Sequence, residues 1–196
     1  MIFITHMTFD TPIITILKSK YLLPSKTTKN VQLYGFEEGS KHIFLQLLNI
    51  TTTQQIETYI PTPTFILDTS FLTKHNACLN YGWSGDCGSN GPNGSNSTIL
   101  KTKSKSDKKI QKILLDQLQI VEQKYKKKYD AVQKKIDNGL NYILPEKYQA
   151  HEIAYSYPIN LKKYLKYIVV RFNDPNKDEV YKILLKEYPN VQIINI

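Results

Sequence analysis

The chain has 196 residues, 41% of them hydrophobic and 22% charged, and carries a formal net charge of +9 at pH 7. That length suits one domain with an ordinary core rather than a two-domain enzyme. No run of about eighteen apolar residues occurs and the start carries no cationic leader, so neither a membrane span nor a secretory signal is expected, and the default compartment is intracellular.

Residues 1–23 read as a strand ending in His6-Met7-Thr8, then one amphipathic helix. Ile13, Ile16 and Leu17 recur at helical spacing. Pro12 suits a first helical turn, where no N–H partner is needed, so the helix is expected to begin near Thr11. His6 then sits at a strand end with a hydroxyl two residues on. Such a pair can hold a ribose diol by hydrogen bonds without supplying charge. Residues Val31–Gly35, Lys41–Leu48 and Thr64–Leu67 read as short strands.

Residues 82–106 change character, with Gly82, Gly85, Gly88, Gly91, Pro92 and Gly94 among many Ser and Asn. A flexible loop is expected there. Its glycines fit neither Gly-x-x-x-x-Gly-Lys-Ser/Thr nor Gly-x-Gly-x-x-Gly, so an insertion is favoured over a phosphate cradle. The two cysteines, Cys78 and Cys87, have no His or second Cys pair at metal-ligand spacing. They are read as free thiols, and no metal is expected. Sequons at Asn49, Asn93 and Asn96 have meaning only in a secreted protein and are read as accidental.

A long helix is expected from about Asp107 to Asp137, stopping at Asn138-Gly139. Ile110, Leu114, Leu118, Val121, Tyr125, Tyr129, Val132 and Ile136 keep one apolar stripe. Packing on a sheet is favoured for it, although its near-heptad spacing also suits coiled-coil self-association. From Lys101 to Lys135, twelve lysines face Asp107, Asp116, Glu122 and Asp130, a net +8. Lysines on the solvated sides can neutralise phosphates, which makes DNA or RNA a candidate partner through Lys101–Lys135.

Beyond this helix, Tyr148–Tyr157 alternates Ile153, Tyr155 and Tyr157 against Glu152, Ala154 and Ser156, a strand that sets Glu152 on the face opposite the aromatics. Tyr167–Phe172 reads as a strand buried on both faces, Asp178–Glu187 as a helix with Val180, Ile183 and Leu184 inward, and Val191–Ile194 as a closing strand. The fold class is α+β, one domain over 1–196.

Three of these segments carry a resemblance. His6-Met7-Thr8, followed by Ile16-Leu17 and Leu22-Leu23, resembles the opening of ADP-ribosyltransferases. Gly39-Ser40-Lys41-His42-Ile43-Phe44-Leu45 is similar to their second strand, Gly-Lys-Gly-Ile-Tyr-Phe. Gln149-Ala150-His151-Glu152-Ile153-Ala154-Tyr155, with Pro158-Ile159, Leu161, Tyr164-Leu165 and Ile168-Val169-Val170, resembles the catalytic-Glu strand of DarT-type transferases, which modify DNA. The resemblance implies a split sheet around an NAD pocket. Glu152 would be catalytic, stabilising the positive charge that builds on the ribose as the nicotinamide bond breaks, while His6, Thr8 and Phe44 would bind NAD. The implied function is NAD-dependent ADP-ribosylation of a macromolecule, with nucleic acid a candidate acceptor.

The chain departs from that family in three places. Lys20-Tyr21 stands where a glycine precedes the leucine, so a different turn is expected after the first helix. Phe44 lacks the hydroxyl of the family tyrosine. Arg171 is the chain's one arginine, outside the position where the DarT-type enzymes use theirs. A lysine supplies charge but not a bidentate fork. The alternative is therefore a non-catalytic basic nucleic-acid-binding or assembly protein.

Overall fold

Apolar residues on both pleats of Ile2–Met7 (β1) suit a strand with a neighbour on each edge, and β1 pairs antiparallel with Ile43–Asn49 (β3) and Thr64–Leu67 (β4). A computed structural model describes residues 2–7, 13–24, 42–49, 64–80, 97–117, 152–171 and 173–195. After β1 come helix α1 (Ile13–Ser19) and the short strand β2 (Tyr21–Leu22). Strand β4 leads into one 3₁₀ turn, Thr69–Thr73, capped by Asp68, whose carboxylate accepts the Ser70 N–H at 2.8 Å. Strands β5 (Ala77–Asn80) and β6 (Ser97–Leu100) follow, then helix α2 over residues 107–117. The last third holds β7 (Glu152–Tyr155), β8 (Ile159–Asn160), the single helical turn α3 (Leu161–Tyr164), β9 (Leu165–Val170), α4 (Lys177–Glu187) and β10 (Gln192–Asn195).

Eight strands form one sheet in the order β10-β9-β4-β1-β3-β7-β5-β6, and β2 pairs with β8 in a second, two-stranded sheet. Every neighbouring pair of the large sheet is antiparallel except β9 and β10. A parallel pair needs a crossover, and α4 supplies it. The α+β class expected from the sequence is the observed one.

One face of the sheet carries the main core. Ile4, Leu45, Leu47, Phe65, Leu67, Leu79, Ile153, Tyr155, Ile168 and Val170 pack there with Ile13 and Leu17 of α1, Ile110 and Leu114 of α2, and Val180 and Leu184 of α4. Phe71 sits in this layer edge-on to Tyr155 at 5.0 Å and to Tyr164 at 6.0 Å between ring centroids. The opposite face holds a smaller cluster of Ile66 and Val169 with Phe3, Tyr167 and Ile194. Burial on both faces explains why Ile168-Val169-Val170 is an unbroken apolar run.

The observed strands at 43–49, 64–67, 152–155, 165–170 and 192–195 and the helix at 177–187 match the elements expected, within a few residues at each end. The loop expected over 82–106 differs, because β6 lies inside it. Its backbone is satisfied by pairing with β5, and Leu100 is buried. Among the described residues the expected long helix is helical over 107–117. Its continuation to Asp137 lies outside the described residues, as does the strand expected at 31–35.

The turn after α1 keeps a left-handed residue. Lys20 takes φ 65°, and its N–H reaches the Ile16 and Leu17 carbonyls, both at 3.2 Å. Glycine favours that conformation, and here a lysine adopts it at a cost of about 1–2 kcal/mol. The cysteine expectation is corrected as well. Cys78 is disulfide-bonded rather than a free thiol. The chain's one other cysteine, Cys87, lies outside the described residues.

Candidate functional site

The strands bearing His6, Phe44 and Glu152 are consecutive in the sheet, as β1, β3 and β7. Thr5 pairs with Gln46, and Gln46 pairs with Glu152, so the three strands are in register at this level. Two inter-strand steps separate the backbones of positions 6 and 152 across the sheet, about 10 Å.

Pleat alternation then sorts the residues. Glu152 occupies one row with Thr5, Gln46 and, through β5, Asn80. Phe44, two residues from Gln46, shares that pleat and is a diagonal neighbour of Glu152. Such neighbours have backbones about 7–8 Å apart. His6 belongs to the other pleat, opposite Phe65, in the row facing the main core. The register therefore sets positions 44 and 152 on one pleat and His6 on the other. Thr8 lies outside the described residues.

His6 is nevertheless tied to Phe44. Its Nδ1 lies 3.0 Å from the Phe44 carbonyl oxygen. A carbonyl only accepts, so Nδ1 carries the proton, and in the neutral ring Nε2 is an acceptor. Burial pushes the imidazole below its ordinary value of 6.5, against the opposing effect of the Phe44 bond. The ring is thus neutral at pH 7, with one tautomer fixed by the backbone of the next strand. Phe44 is half-buried, and its ring centroid lies 6.2 Å from that of His42.

Thr5, Gln46 and Asn80 were not singled out in the sequence. Gln46 offered the clearest signal, as the one polar residue inside Ile43–Leu48. Thr5 is 5% exposed, a buried hydroxyl in the same row. Among the described residues no group of three or more His, Cys, Asp or Glu side chains could hold a metal ion, and no helix is long and apolar enough to cross a membrane. The lysines at 101, 103, 105, 108, 109 and 112 are all exposed. The later lysines of Lys101–Lys135 lie outside the described residues. No family model, curated protein or solved structure matches the chain.

Proposed function

We propose that the protein is an NAD-using, ADP-ribosyltransferase-like protein acting on a macromolecule. One observation carries the reading: three segments selected for their chemistry, at positions 6, 44 and 152, lie on three consecutive strands. In this reading Phe44 and Glu152 form the working pair on one pleat. The ring of Phe44 stacks on nicotinamide, and the carboxylate of Glu152 stabilises the oxocarbenium-like ribose as nicotinamide departs with the electron pair of its glycosidic bond.

The pleats change the part assigned to His6. From the core side its route to the reaction is the Phe44 carbonyl, so it acts as a positioning residue that fixes the backbone beneath the stacking ring. A direct grip on ribose is not needed.

NAD titration with thermal unfolding tests the pocket. At a hundredfold excess over Kd the folded state gains about 2.7 kcal/mol, or roughly 5–10 °C for a chain of this size. Glu152→Gln should abolish transfer of labelled ADP-ribose while NAD still raises Tm. For His6, the conservative variant decides. Asn retains an N–H near the place of Nδ1 and should restore the NAD KM that His6→Leu raises, with kcat little changed. Absence of both a Tm shift and labelling refutes the reading.

A further inference from the structure

The chain also builds a cationic surface away from Glu152, at the other end of β7. Three hydrogen bonds make it. The buried Thr102 hydroxyl donates to the His75 carbonyl at 3.0 Å, the Lys103 N–H to Asn76 Oδ1 at 3.0 Å, and the Ser104 N–H to the Thr73 carbonyl at 2.8 Å. Ser104 takes φ 60° to do so. Two segments 27 residues apart in sequence are thereby pinned side by side.

Lys74 from the first segment and Lys101, Lys103, Lys105, Lys108, Lys109 and Lys112 from the second are all exposed, and Asp107 is the one carboxylate in residues 73–76 and 101–112. Beside this charge the His75 ring lies flat on Tyr157, with centroids 3.6 Å apart and planes 13° from parallel. Tyr157 remains 44% exposed. Tyr155 braces it edge-on at 5.8 Å and is itself fixed by donating its hydroxyl to the Phe71 carbonyl.

Exposed cations alone attract any polyanion. A braced, solvent-facing aromatic pair next to them selects further, because it needs a partner with flat apolar faces spaced between its charges. A single nucleic-acid strand has both, phosphates on the backbone and unpaired bases free to stack. A duplex keeps its base faces hidden, and an acidic peptide does not repeat a flat face between successive charges. We propose that the His75–Tyr157 stack and the surrounding lysines form a binding platform for single-stranded nucleic acid. It rests on these residues alone and stands or falls separately from the use of NAD.

The test is fluorescence anisotropy of the full chain with a labelled oligothymidylate strand of about twenty nucleotides, across a salt series without NAD. Tyr157→Ala should weaken binding roughly 5- to 150-fold, the loss of about one stacked base, and leave the salt slope unchanged. Tyr157→Phe, which keeps a ring, should bind like the parent protein. Lys101, Lys103 and Lys105 replaced together by Gln should reduce the slope of log K against log salt by about 2. A matched duplex should bind more weakly than the strand. Parent-like binding by Tyr157→Ala, equal affinity for duplex and strand, an unchanged slope in the lysine variant, or no binding at low salt would each overturn the proposal.

Discussion

Replacing Tyr188 with Phe removes one oxygen atom from the contact between the first and last helices. Tyr188 ends α4, is 3% exposed, and donates its hydroxyl to the Leu17 carbonyl at 2.6 Å. An orphaned buried acceptor costs about 1–3 kcal/mol. The Leu17 carbonyl is not orphaned, because it also accepts the Lys20 N–H at 3.2 Å. The loss is therefore that of one hydrogen bond, about 1 kcal/mol, and for a chain of this length roughly 2–4 °C in Tm. Leu17→Ala, by contrast, empties a fully buried site in the same contact and should cost about 2–5 kcal/mol. Guanidinium unfolding reads both as shifts in midpoint at constant m. If Tyr188→Phe leaves the midpoint unmoved, or costs as much as Leu17→Ala, the two-acceptor argument fails.

Three further outcomes concern buried titratable groups and the bond at Cys78. Burial lowers the His6 pKa beneath 6.5, so the unfolded chain binds that proton first. Stability should be full above pH 6.5 and decline as pH falls below it, and Tm followed downward from there should show a smaller decline in His6→Gln. Burial, with Tyr164 and Tyr157 nearby, pushes Tyr155 up to about 12, and burial with Glu187 does the same to Tyr188. Their contribution should be intact below pH 10 and lost as pH rises through 12, a loss that a Tyr155→Phe, Tyr188→Phe double variant reduces in alkaline unfolding. Reducing the bond at Cys78 should cost about 2–4 kcal/mol in guanidinium unfolding, and Cys78→Ser should match the reduced protein.

What could be read from the sequence was local. Strand β4 is a short apolar run that ends at a capping Asp, and β7 alternates plainly, so Ile153 and Tyr155 face the core as that alternation requires. β5 was missed because Ala77-Cys78-Leu79-Asn80 is short and has weak alternation. β6 was missed because its four residues sit among glycine, serine and asparagine, where composition outweighs one buried leucine. The lysine surface was legible as charge, but the stack within it was not. His75 and Tyr157 are 82 positions apart, and the β5–β7 pairing brings their segments together.

The pleat of His6 shows the limit most clearly. In β1 both Phe3 and Ile4 are apolar, so the sequence offers two equally good assignments of its faces, and His6 follows Ile4. A shift of one residue in register against β3 would move the imidazole to the face of Phe44 and Glu152. The observed register instead fixes the ring beneath the sheet, neutral and bonded to the Phe44 carbonyl. A charged imidazole there would face the buried core at a desolvation cost, whereas the neutral ring meets the one polar demand of that carbonyl. The same burial that sets the imidazole on the core side of the sheet makes it an anchor for the backbone of Phe44.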